Sequence, residues 1–150
     1  MLILGFDTST PIGNVALMRD GEVVVEENLE IERTHIEKLL PAIDSVLKRE
    51  KCKINQIEGI VVGLGPGSFT GTRIGVTVAK SLAQSLDVKL VGVSSLDGMA
   101  INSAEEKKLI CSITDARRKE VYSAVYYFES DNLKRISDYQ VISPFDLANN

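Results

Sequence analysis

The chain has 150 residues, 44% hydrophobic and 25% charged, an ordinary balance for a soluble globular protein. At this length a domain buries about 68–70% of the surface its unfolded chain exposes, so it needs no disulfide or metal staple. No run of 18 apolar residues occurs, which excludes a spanning helix, and 17 Lys and Arg against 21 Asp and Glu leave a net charge of −4, which argues against a broad basic face for nucleic acid.

The opening Met1-Leu2-Ile3-Leu4-Gly5-Phe6-Asp7 carries no basic region and meets an acid at once, unlike a signal peptide. Residues 2–6 read as a buried strand ending at Asp7. Asn14 to Met18 is a second apolar strand, Asp20-Gly21 a tight-hairpin signal, and Val23 to Val25 the start of a return strand. A helix follows from about 34 to 50. Thr34 and Glu37 form a capping box at its start, and Ile36, Leu39, Leu40, Ile43, Val46 and Leu47 form one apolar stripe. Pro41 removes one hydrogen bond, to the Glu37 carbonyl, and predicts a kink near 37–41.

Gly59 to Leu64 reads as a buried strand, broken by Gly65-Pro66-Gly67. A long helix runs from about Phe69 to Leu86, then a strand from Val88 to Val93 and a short helix from Ser95 to Ala104. Leu109 to Thr114 is again an apolar strand ending in an acid, Asp115. Val121 to Phe128 and Ile136 to Ile142 are further strands, the first preceded by a turn at Arg117–Glu120 and the second by one at Asp131-Asn132. Ser143-Pro144 opens a helix. The pattern β-β-β-α therefore occurs twice, the second copy incomplete, with residues 1–104 as the first lobe and 105–150 as the start of the second.

Cys52 and Cys111 fit no metal-ligand spacing and read as reduced thiols of a cytoplasmic protein. The stretch from Gly63 to Gly75 lies between a strand and a helix, where glycine loops hold phosphate, yet it lacks the lysine of a P-loop and misplaces the third glycine of a dinucleotide loop. Its glycines instead recur every four residues: Gly67, Gly71, Gly75, then Ala79 and Ala83. Such a small-residue ridge suits close packing inside the chain, a contact with another protein, or a ligand loop. Asp7-Thr8-Ser9 and Asp115 hold equivalent places in the two copies. Each either positions a nucleotide phosphate with Mg²⁺ or simply caps a turn. His35, the only histidine, sits at the edge of the apolar stripe and reads as a capping, interface or ligand residue.

Four motifs in order resemble one family. They are Phe6-Asp7-Thr8-Ser9-Thr10, the run from Arg33 to Pro41, the run from Gly65 to Gly75, and the run from Asp115 to Tyr122. Together they resemble the TsaB (YeaZ) family of bacterial tRNA threonylcarbamoyladenosine biosynthesis proteins. The resemblance implies an actin-like, ribonuclease H-like α/β fold of duplicated lobes. It implies a non-catalytic partner of TsaD, the transferase that modifies an adenosine beside the tRNA anticodon. It implies the ATPase TsaE as a further partner through that complex, a homodimer when alone, tRNA contact only indirectly, and no membrane. No cofactor is required by this reading, with ATP or ADP and Mg²⁺ an option at the partner interface, and Asp7, Thr8, Ser9 and Asp115 as nucleotide candidates. The partner surface is expected on the two long helices, at His35, Glu37, Phe69, Thr70, Gly71, Arg73, Gly75 and Ala79. The alternative is a nucleotide-dependent enzyme or a metallopeptidase relative. TsaD-like members hold metal through a pair of histidines on the first long helix, and one histidine here favours the partner role.

Overall fold

A computed structural model describes residues 1–30, 35–105, 107–130 and 132–149, with the side chains of His35 and Ile36 excluded. The chain forms two compact units, Met1–Val93 and Ser94–Asn150.

The first unit contains β1 (Leu2–Asp7), β2 (Ile12–Arg19), β3 (Glu22–Glu30), α1 (His35–Arg49), β4 (Gly59–Gly63), α2 (Phe69–Leu86) and β5 (Lys89–Val93). Its five strands form one mixed sheet in the order β3-β2-β1-β4-β5. β1 runs antiparallel to β2 and parallel to β4. Alternation decides which side is buried. Register places Leu4 beside Leu17 and Ile60, and Phe6 beside Val15 and Val62. All six are buried, and α1 and α2 close over them with Leu39, Val46, Val78 and Ala79. Truncating any one of the large members to alanine costs about 2–5 kcal/mol.

Local chemistry sets the turns. Asp20 and Gly21 both take positive φ (52° and 93°), the conformation a two-residue hairpin needs. The β2–β3 register slips by one residue between Leu17 and Met18, so the ladder skips Val24. β3 runs on to Glu30, past the apolar Val23 to Val25, because its buried positions Val25 and Leu29 hold the rest of the strand in place. Pro41 lies within α1 on its exposed side, and the helix continues through it. Leu40, expected in the apolar stripe, is 49% exposed. The Thr34–Glu37 capping box lies outside the described residues. α2 ends without glycine: Asp87 takes the left-handed cap position and donates its N–H to the Ala83 carbonyl.

The second unit contains α3 (Ser95–Asn102), β6 (Lys108–Arg117), β7 (Glu120–Glu129), β8 (Asn132–Arg135), β9 (Gln140–Ile142) and α4 (Pro144–Asn149). Of the third strand expected over 136–142 only β9 forms, and β8 occupies residues 132–135, from the expected turn onward, where no strand was expected; both pair with β7. Between the pairs Tyr126↔Arg135 and Ser123↔Gln140 the register shifts by two residues. Ser137 explains the break: its hydroxyl accepts the Val125 N–H at 2.8 Å, taking the place of a strand carbonyl. α3 packs on this second sheet, with Leu96 and Ala100 against Ala124 and Tyr126, so the compact units divide at Val93 rather than near residue 104. Asp97 of α3 fixes the contact by accepting hydrogen bonds from Tyr126 and Tyr139.

Candidate functional site

The glycine-rich segment and the end of β1 meet in the first unit. Asp7 closes β1 with an Asx-turn, its Oδ1 accepting the Ser9 N–H at 2.7 Å. Room for that carboxylate exists because residue 63 is glycine: a Cβ there would lie 2.2 Å from Asp7 Cγ. Thr8 and Ser9 are buried beneath the start of α2. The Thr8 hydroxyl donates to the Gly71 carbonyl at 2.7 Å, and the Ser68 N–H donates to the Ser9 carbonyl at 2.5 Å. Ser68 also caps the helix, its Oγ accepting the Gly71 N–H at 3.2 Å.

The small-residue ridge is what permits this approach. A Cβ on Gly67 would lie 2.2 Å from the Ser9 carbonyl oxygen, and one on Gly75 would lie 2.5 Å from Thr8 Oγ1. Gly71, Gly75, Ala79 and Ala83 are all buried within the first unit. Of the readings open for the ridge, close packing inside the chain is the one observed. Gly71, Gly75 and Ala79, expected at a partner surface, face inward because α2 lies against β1 and β4 at their level.

The outer side of α2 is different. Phe69 is 70% exposed, and the Arg73 guanidinium stacks over its ring at 3.8 Å. Thr70 and Arg73 are exposed beside it, and Glu37 is exposed on α1. His35 begins α1, and its side chain lies outside the described residues.

In the second unit Asp115 repeats the local geometry of Asp7: its Oδ1 accepts the N–H two residues on, at Arg117, at 2.8 Å. The turn beyond it is built differently from the one after Asp7. Arg117, Arg118 and Lys119 take positive φ (69°, 53° and 68°) in an exposed hairpin tip. Their side chains occupy a turn where glycine would let phosphate approach the backbone.

At the Asp7 turn neither hydroxyl stands open to donate to a phosphate. The Thr8 hydroxyl proton is committed to Gly71, and Ser9 is buried under Ser68. Among the described residues no group of three or more His, Cys, Asp or Glu is placed to hold a metal ion. Sequence reasoning found Asp7, Thr8 and Ser9 but missed Gly63 as the receptor of the Asp7 carboxylate. The signal was a strand-ending glycine opposite a strand-ending acid. No helix among the described residues is long and apolar enough to cross a membrane.

A family model described as TsaD, tRNA N6-adenosine threonylcarbamoyltransferase, matches residues 26–149. The tRNA threonylcarbamoyladenosine biosynthesis protein TsaB of Bacillus subtilis is 40% identical over 136 residues, covering 91% of this chain and 59% of that protein. TsaB of Escherichia coli is 35% identical over 135 residues, covering 89% and 58%. The chain therefore spans less than two thirds of these relatives. YeaZ from Pseudomonas aeruginosa superposes with a TM-score of 0.84 at 29% identity, over 95% of this chain and 68% of that one. The ethanolamine utilization protein EutJ from Carboxydothermus hydrogenoformans shares the fold alone, at a TM-score of 0.57 and 10% identity, over 95% and 52%. The architecture is the actin-like α/β fold with a partial second lobe. The chain belongs to the TsaB/YeaZ family, whose curated members are named tRNA threonylcarbamoyladenosine biosynthesis proteins.

Proposed function

We propose that the chain serves threonylcarbamoyladenosine modification of tRNA as a non-catalytic subunit that docks on the TsaD transferase. The docking surface is the outer side of α2, centred on Phe69 with Thr70 and Arg73, and extends to His35 and Glu37 at the start of α1. The observation that carries this reading is the Phe69–Arg73 pair. Aromatic rings and arginines are the residue types enriched at the centre of protein interfaces, and here one of each stands together on an exposed helix face. The committed Thr8 hydroxyl and the Arg117–Lys119 hairpin tip support the non-catalytic part, because neither suits a phosphate pocket. No cofactor is needed for docking; ATP or ADP with Mg²⁺ is left to the assembled interface. Alone in the cytoplasm the same surface pairs two copies, TsaD displaces one of them, and TsaE and tRNA join through TsaD.

Phe69→Asp tests the surface without touching the core. The variant should keep the thermal midpoint of the parent and weaken TsaD binding by about thirtyfold or more, the effect of losing a hot-spot side chain. Binding of TsaD at parental strength by folded Phe69→Asp overturns the assignment. ATP turnover by the purified chain that disappears in Asp7→Ala overturns the non-catalytic role.

A further inference from the structure

The outer edge of β3 carries a further feature, which shares Glu37 with the proposed transferase surface and otherwise lies apart from its residues. Among the described residues β3 ends the sheet order, so one row of its backbone groups lies beyond the ladder to β2. Two of those carbonyls are held by long cations from α1. Lys38 Nζ donates to the Glu30 carbonyl at 2.6 Å, and Arg49 Nη1 donates to the Glu26 carbonyl at 3.1 Å. Residues of equal parity face the same way along a strand, so the backbone of Asn28 lies on this edge between them. The two held carbonyls are four residues apart, about 13 Å, a span that one short strand covers. Both bonds are exposed to water, so a better-placed backbone donor can replace either cation at little cost.

Beside the edge, between β3 and α1, runs an open groove of about 550 Å³. Leu29, Pro41 and Ala42 give it an apolar base, and three acids, Glu27, Glu30 and Glu37, line it against one cation, Lys38. Glu27 is already held by Ser45 and Arg49, which leaves Glu30 and Glu37 to set the charge a ligand meets. An edge with outward carbonyls and an adjoining groove is the arrangement that accepts an extended peptide as an added strand.

Charge decides what that peptide is. A second copy pairing antiparallel about Asn28 would place Glu26 of each chain opposite Glu30 of the other, and like charges directly opposite destabilise a strand pair. An acidic segment meets the same repulsion. We infer that the β3 edge and its groove bind an extended, lysine- or arginine-bearing segment of a partner protein by strand addition. Its backbone N–H groups replace Lys38 and Arg49 on the two carbonyls, and its cations meet Glu30 and Glu37.

The test uses the whole chain and a labelled octapeptide alternating valine and lysine. Three controls accompany it: a valine–glutamate counterpart, a free lysine octamer, and the valine–lysine peptide N-methylated at alternate amides. Anisotropy should show the valine–lysine peptide binding at least about tenfold more tightly than each control, about 1.4 kcal/mol. Amide exchange should slow at Glu26, Asn28 and Glu30 when it binds. Lys38→Ala with Arg49→Ala, which uncovers the carbonyls, should tighten binding several-fold. Asn28→Pro, which removes an outward N–H without taking a donor from β2, should weaken it in a protein of unchanged fold. Equal binding of the N-methylated peptide or the lysine octamer would mean charge adsorption alone and overturns strand addition. No binding of the valine–lysine peptide overturns it as well.

Discussion

The hydroxyl of Tyr126 donates to Asp97 Oδ1 at 2.6 Å, and Tyr139 donates to the same carboxylate at 2.8 and 3.0 Å. Arg135 stacks on the Tyr139 ring, so one acid, two phenols and one cation join α3 to the second sheet. Burial, and then the bond to Asp97, push the Tyr126 phenol well above its ordinary value near 10. Linkage gives the sign. The unfolded chain loses this proton near pH 10 and the folded chain holds it, so stability is intact below pH 10 and falls as pH rises above it. Tyr126→Phe should therefore flatten the alkaline limb of a stability–pH curve taken by denaturant titration. At neutral pH it should cost about 1.5–3 kcal/mol for a lost bond to a charged acceptor, toward the low end because Tyr139 still serves Asp97. An alkaline limb as steep as the parent's would show that another group carries it.

At the scale of elements, α2 shows how a sequence pattern acquires its meaning. Gly75 lies in mid-helix, where alanine is ordinarily better by about 1 kcal/mol. Here a methyl would meet Thr8 Oγ1 at 2.5 Å, and Thr8 is fixed by its bond to the Gly71 carbonyl. Overpacking of that kind costs about 1–3 kcal/mol. Gly75→Ala should thus lower the thermal midpoint despite the gain in helix propensity, and a raised midpoint would contradict the close approach. The four-residue glycine spacing was legible in the sequence, and so were the limits of α2 at Phe69 and Leu86. Its direction was not. Spacing says that something comes near the ridge, and only the position of Thr8 says that it is the chain's own turn. The same holds for the broken strand at 136–139, since a serine hydroxyl standing in for a carbonyl leaves no periodic trace. Asp7 was legible as a strand end, whereas Asp115, expected as another, lies inside β6, which runs on to Arg117 past a register shift; both carboxylates still accept an N–H from two residues on. Which glycine makes room for Asp7 required the pairing of β1 with β4. The Phe69–Arg73 stack was legible only as an i, i+4 spacing, and the outward direction of the ring came from the helix's placement on the sheet.

At the scale of the molecule, the two units are unequally built. The first closes two helices over one sheet face, and its core includes Leu4, Leu17, Leu39, Ile60, Val46 and Val62, each nearly inaccessible to water. Among the described residues the second unit's core is Leu96, Ala100, Ala124 and Tyr126, with Ile110, Tyr122 and Leu133 partly buried against it. Two of those four buried residues are alanines, which bring little apolar area, and the hydrophobic contribution scales with that area at about 25 cal/mol per Å². Meanwhile Leu109 and Ile113 of β6 remain 67% and 49% exposed. Opening free energy differs between regions of one protein according to such buried contacts. Native-state hydrogen exchange should therefore find the amides of β1 and β4 the most protected, and those of β6 to β9 exchanging about a hundredfold faster or more, which corresponds to a difference of about 3 kcal/mol. The Asp97 cluster makes a second, independent demand. Asp97→Ala should speed exchange across β7 and α3 together while leaving β1 and β4 at parental rates, because the carboxylate ties only elements of the second unit. Uniform acceleration through both units would mean that the chain opens as one cooperative body, and the protection of β1 would then report the stability of the whole.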